Sequence, residues 1–152
     1  NNAISVKGQG DLLVYRARCC NPIRGETIVG YVTRGKGVAV HAVNCPNVTN
    51  RLYEPDRRID VQWGRDKEDV SDNAYPVKLT LFCDDRAGML KQITAVISDT
   101  DTNIRNIEAH TANGQANIDV VLDVADLKHL QNIINGVRKI PGVHDVQRLQ
   151  KI

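Results

Sequence analysis

From residue 76 onward the spacing of apolar residues switches between about two and about 3.6 in a fixed order, and few folds accommodate that order. Val77, Leu79, Leu81 and Cys83 alternate with Lys78, Thr80 and Phe82, as in a strand with one face on a core. Asp84-Asp85-Arg86-Ala87-Gly88 reads as a loop. Met89, Leu90, Ile93, Val96 and Ile97 then recur at helical spacing, behind an acidic start that suits the helix dipole. Residues 103–111 form a strand, Asn113-Gly114 is a tight-turn signal, and Ala116, Ile118, Val120, Leu122 and Val124 alternate along the returning strand. Asp126 suits the N-cap of a helix with Leu127, Leu130, Ile133, Ile134 and Val137 on one side. Pro141-Gly142 ends that helix, and residues 143–149 are the last strand. The order β-α-β-β-α-β is ferredoxin-like, with two helices over one face of an antiparallel sheet.

Residues 1–64 read differently. Short β-rich runs at 3–7, 12–18, 28–33, 38–40 and 59–63 are separated by turns, with a single short helix opened by Cys45-Pro46-Asn47. This is a small, mostly β domain close to the lower size limit for a self-sufficient core. Residues 65–75 are polar and aperiodic, a linker, so the expected organisation is domains at 1–64 and 76–152, α+β overall. The first residue is not methionine, which suggests a piece of a longer polypeptide. No apolar run approaches the roughly 20 residues that cross a bilayer, so no membrane role is expected.

Cysteine placement limits the chemistry. Three of the four cysteines fall in Arg18-Cys19-Cys20-Asn21-Pro22 and His41-Ala42-Val43-Asn44-Cys45-Pro46. A glycine-punctuated hairpin between the two segments would bring them together. Without a secretion signal the thiols read as reduced and cytoplasmic. Cys19, Cys20, His41 and Cys45 make a permissible tetrahedral zinc set. Adjacent residues of a strand point to opposite faces, so Cys19 and Cys20 reach one ion only if the chain turns between them. The other reading is a core cysteine beside a polar, hydrogen-bonded group.

Charge is uneven. Residues 1–64 hold nine Lys/Arg against five Asp/Glu, whereas residues 76–152 are balanced. Arg16, Arg18, Arg24, Arg34 and Lys36 would form a basic surface, with Arg34-Gly35-Lys36-Gly37 a thin hairpin able to approach a phosphate backbone. A solvated face is the plain alternative. A Cys20–His41 nucleophile pair lacks a pocket, the Gly35-x-Gly37 pair lies in a hairpin and not before a helix, and His110, His129 and His144 are scattered. Enzyme chemistry within the chain is therefore not expected.

The segments Arg18-Cys19-Cys20-Asn21-Pro22-Ile23-Arg24-Gly25, Ile28 through His41, and Asn44-Cys45-Pro46-Asn47 resemble the zinc-finger or ribosome-intersubunit domain of RelA/SpoT homologues, the (p)ppGpp synthetases and hydrolases. Asp84-Asp85-Arg86-Ala87-Gly88-Met89-Leu90 and Thr102-Asn103-Ile104 resemble the ACT domain that follows it there, with Ala87 where proline is frequent. The resemblance implies a regulatory fragment whose catalytic domains lie N-terminal to it, with ribosomal RNA near the A site as partner of the first domain. It also implies an ACT module that binds a small ligand, commonly an amino acid, or forms a homodimer. The loop from Asp84 to Gly88 would line the ligand, Asp85 holding the amino group and backbone N–H groups of Ala87, Gly88 and Met89 the carboxylate, with Asn103 and Ile104 contacting the same ligand. Against this stands the reading of Asp84 or Asp85 as a helix cap. The rival from another class is a freestanding amino-acid-sensing ACT dimer with a zinc-stabilised accessory domain and no RNA role.

Overall fold

The computed structural model describes residues 4–6, 13–35, 37–50, 55–64 and 74–150, and the chain divides into two compact units, one reaching to residue 73 and one spanning Ala74–Leu149. The fold is α+β.

In the first unit β2 (Val14–Arg16), β3 (Ile28–Thr33), β4 (Gly37–Ala42) and β5 (Arg58–Ile59) form one sheet in the order β2-β4-β3-β5. The hairpin of β3 and β4 is in register from Thr33 opposite Gly37 to Ile28 opposite Ala42, and β2 joins β4 in parallel. A separate ribbon pairs β1 (Ile4–Val6) with β6 (Val61–Trp63). The expected single strand over 59–63 is thus two strands, in two sheets, parted at Asp60. Ile4, Val6, Val14, Val38 and Val40 form the core, closed by Ile28, Ile59, Val61 and Trp63. Gly30 lies under that closure: a Cβ there would come within 2.8 to 3.0 Å of Val38, Val61 and Ile59 side-chain carbons. Gly37 has φ +87° and an added Cβ would strike the Leu13 carbonyl, so only glycine lets β4 start against the Leu13 backbone. The short helix α1 (Pro46–Thr49) has Pro46 in its first turn, as its missing N–H permits.

The second unit contains β7 (Tyr75–Asp84), α2 (Met89–Asp99), β8 (Asn103–Ala112), β9 (Gln115–Val124), α3 (Leu127–Arg138) and β10 (Val143–Leu149), an antiparallel sheet of order β10-β7-β9-β8 with two helices. Burial along β7 alternates strictly, with Val77, Leu79, Leu81 and Cys83 inward. Ile93 and Ile97 of α2, Leu130, Ile133 and Val137 of α3, and the inward row of β9 are likewise fully or nearly fully buried. Asn113 and Gly114, φ +56° and +77°, make the turn expected of Asn-Gly. Asp126 caps α3, its carboxylate accepting from the His129 N–H at 2.8 Å.

Three expectations need correction. Tyr75, read as linker, begins β7 and is buried. Helix α2 has no acidic residue in its first turn and no side-chain cap; its N-cap is Gly88 at φ +83°, so neither Asp84 nor Asp85 caps it. Leu90, placed on the apolar stripe, is exposed. Among the described residues no helix is long and apolar enough to cross a membrane.

Candidate metal centre and its surroundings

The turn at Arg18–Cys20 removes the geometric objection to adjacent cysteines. Neither residue lies in a strand: β2 ends at Arg16 and the chain turns through residues 18–20. Ala17 N–H donates to Val40 O at 2.8 Å, anchoring the turn to β4, and Asn21 N–H donates back to Ala17 O at 3.0 Å, closing it. Both thiols thereby face the end of β4 and the start of α1. Cys19 Sγ is 4.0 Å from Cys20 Sγ, 3.4 Å from His41 Nδ1 and 3.6 Å from Cys45 Sγ, and Cys20 Sγ is 3.8 Å from His41 Nδ1. Around a tetrahedral zinc with bonds of about 2.3 Å to sulfur and 2.0–2.1 Å to nitrogen, ligand atoms sit roughly 3.5–3.8 Å apart. These four separations lie near those values and all the ligand atoms are within 4.8 Å of one another, so the set could hold a metal ion.

The surroundings support the set. Cys20, His41 and Cys45 are buried and Cys19 is half-buried, packed with Ala17, Ala42 and Val48. Ala42 N–H donates to Cys20 Sγ at 3.3 Å, a bond that strengthens as the sulfur gains negative charge. Tyr31 meets the His41 ring edge-on, centroids 5.9 Å apart. Burial, then the adjoining Cys19 and Cys45, push the Cys20 thiol up, and burial pushes the His41 imidazolium down. Without a cation the pocket favours the neutral Cys20 thiol; a divalent cation would stabilise its thiolate. All three cysteines are free.

The five basic residues separate into two groups. Arg16 Nη1 donates to Asn21 Oδ1 and to Pro22 O, each at 3.3 Å. Arg24 Nη1 donates to Gly64 O at 2.7 Å, and its guanidinium lies 5.7 Å from the Trp63 ring centroid. Arg18 and Arg34, by contrast, are exposed, and no hydrogen bond or ion pair joins either to another described residue. Lys36 lies outside the described residues.

The ACT-type ligand residues are not brought together within one chain. Asp84 pairs with His144 at 2.7 Å, a contact that holds the Asp84 carboxyl below its usual value. Asp85, Ala87 and Gly88 are exposed; Asp85 N–H donates to Gly114 O at 2.9 Å and Met89 N–H to Arg86 O at 3.2 Å, while the Met89 side chain is core. Asn103 donates to Asp123 at 3.0 Å, and Ile104 is half-buried opposite Leu122. On β9, Gln115 marks the Asp84 end and Asp123 the Asn103 end, so the two halves of the predicted pocket stand roughly 27 Å apart at about 3.4 Å per residue. A groove between α2 and α3, lined by Gln92, Val96, Gly136 and Ile140 among others, contains none of them.

The remaining histidines carry contacts that their scattered positions do not reveal. His129 Nδ1 accepts from Ala125 N–H at 2.9 Å, and its Nε2 lies 2.8 Å from the Thr102 hydroxyl. His110, Glu108 and Asp119 share one face of β8 and β9. Register across the hairpin, and not sequence spacing, makes that group.

Comparison with known proteins supplies the remaining finding. Residues 71–148 match the ACT domain family and residues 4–64 the RelA/SpoT RIS domain. The GTP pyrophosphokinase of Streptomyces coelicolor is 36% identical over 147 residues, covering 96% of this chain and 17% of that protein. The GTP pyrophosphokinase of Escherichia coli is 32% identical over 152 residues, 98% of this chain and 20% of its own length. A crystal structure of the ACT domain from the Chlorobium tepidum GTP pyrophosphokinase is 32% identical, with a TM-score of 0.47, and covers 51% of this chain and 100% of that one. This chain therefore spans about a fifth or less of the curated relatives it matches. With a RIS-domain match followed by an ACT-domain match, the chain belongs to the ACT domain family and is a RelA/SpoT C-terminal regulatory region.

Proposed function

We propose that this region docks on the ribosome through its first domain, and that Cys19, Cys20, His41 and Cys45 bind a structural zinc ion that fixes the base of the docking hairpin. Zinc bound there supplies a cross-link between the Arg18–Cys20 turn, the end of β4 and the start of α1. The convergence of three thiols and an imidazole at tetrahedral separations carries the zinc reading. The docking reading is supported by the RIS match together with the exposure of Arg18 and Arg34. Arg16 and Arg24, bound to carbonyl and side-chain acceptors within the domain, serve the fold.

The second domain acts as the regulatory ACT module. Because Asp85 and Asn103 lie at opposite ends of the sheet, one small ligand touching both is shared between two copies, so an amino acid bound here and a homodimer go together. Docking or ligand binding alters catalysis in the parent, proposed to be a GTP pyrophosphokinase or (p)ppGpp hydrolase, by favouring one state of its catalytic domains over another.

Co-sedimentation with ribosomes over a salt series tests the docking. Arg34→Glu and Arg18→Glu weaken association and flatten its salt dependence. Association unchanged in both variants rules out this surface.

A further inference from the structure

The turn that carries Cys19 and Cys20 has one conformational problem. Asn21, which follows the pair, sits at φ +43°, a left-handed conformation uncommon outside glycine. It takes the chain out of the turn that carries the two cysteines, and Pro22 next to it lacks an N–H to help hold the loop. Two backbone bonds hold the turn, Ala17 N–H to Val40 O and Asn21 N–H to Ala17 O. Its far side is reached by a side chain. Arg16, the last residue of β2 and opposite Val40 of β4, extends across the loop it precedes and donates from one terminal nitrogen to the Asn21 amide oxygen and the Pro22 carbonyl, five and six residues on.

We propose that Arg16 is a positioning residue for the metal set: its guanidinium clamps the far side of the Arg18–Cys20 turn and so keeps Cys19 and Cys20 converged on His41 and Cys45. The strand β2 is held against β4 by its parallel register, and β4 carries His41 one residue beyond Val40. The clamp therefore references the two-cysteine turn to the same strand that presents the imidazole. This gives Arg16 a role different from Arg18, its neighbour by two, which lies in the turn itself and points no hydrogen bond to a described residue. A guanidinium is the suitable group, since it stays charged and offers several donors in a fixed plane.

The inference rests on the zinc reading of the cluster, and the experiment separates the two. The intact chain is titrated with cobalt(II), whose absorption reports tetrahedral thiolate ligation, and with zinc in competition. Amide hydrogen exchange at Asn21 is measured in the metal-free protein. Arg16→Gln lowers cobalt and zinc affinity by about 10- to 100-fold, the range for residues supporting metal ligands, and speeds exchange at Asn21. Arg18→Gln changes neither, although it lies next to Cys19. Exchange in the ACT domain stays constant in both variants and serves as the internal reference. Should Arg16→Gln unfold the first domain, Arg16→Lys, which keeps the charge and stem but loses the planar fork, is read by the same two measurements. Wild-type affinity and wild-type Asn21 exchange in the Arg16 variant overturn the clamp. Failure of the wild-type chain to take up cobalt or zinc overturns the zinc reading instead, and the Asn21 exchange rate then decides the clamp alone.

Discussion

Cys19 Sγ and Cys45 Sγ lie 3.6 Å apart although 26 positions separate them in the chain. The β3–β4 hairpin closes that distance, and everything proposed for the first domain depends on the closure. If a metal ion occupies the site, Cys45→Ser removes one of its four ligands and weakens the cross-link between the turn, β4 and α1. The first domain then melts earlier, while the ACT transition, followed by exchange of β7 amides, does not move. A single cooperative shift of both domains contradicts the independence of the centre.

Gly30 offers a test of packing that involves no metal. Its missing side chain makes room for Val38, Ile59 and Val61. Gly30→Val overfills that space and destabilises the first domain by about 1–3 kcal/mol, measured by urea denaturation. A neutral result means that β5 and β6 do not close over β3.

Asp126 is the one side-chain cap on the long helices. Asp126→Ala removes the acceptor for the His129 N–H and costs about 1 kcal/mol of ACT-domain stability, with the change confined to α3 exchange. Asp85→Ala, exposed and not a cap, has no such effect.

The Asp84–His144 contact sets an acid dependence. The carboxyl of Asp84 is held below its ordinary value of 3.8, so the stability it contributes is present above that value and is lost as pH falls through the lower, folded-state value. Thermal melting of wild type and Asp84→Asn is expected to differ at pH 6 and to converge below the ordinary carboxylate range. A difference that persists unchanged into strong acid contradicts the pairing.

Much of the second domain is legible in the sequence because one face of each strand and helix is buried and the other is not. The alternation from Val77 to Cys83 and the Asn113-Gly114 turn each have one physical explanation. Tyr75 was hidden by the polar run before it, which gives an aromatic residue no periodic context. The end of the first domain was hidden by Asp60, one residue that divides two strands belonging to two sheets. The candidate metal set can be picked out by residue type, but only the turn through residues 18–20 shows that neighbouring cysteines converge. Arg16 and Arg24 carry the same charge as Arg34; the carbonyl and amide acceptors that folding places against them are not visible in the sequence. The two halves of the expected ligand pocket look adjacent in a family pattern, and the β9 register puts them at opposite ends of one sheet.

Native mass spectrometry of the chain purified without chelator, with thiol alkylation in parallel, tests the central claim most directly. The account predicts one zinc per chain, with Cys19, Cys20 and Cys45 protected from alkylation until the metal is removed, and no zinc in Cys45→Ser. A metal-free chain that alkylates Cys19 at once, yet docks on ribosomes with full affinity, would contradict it.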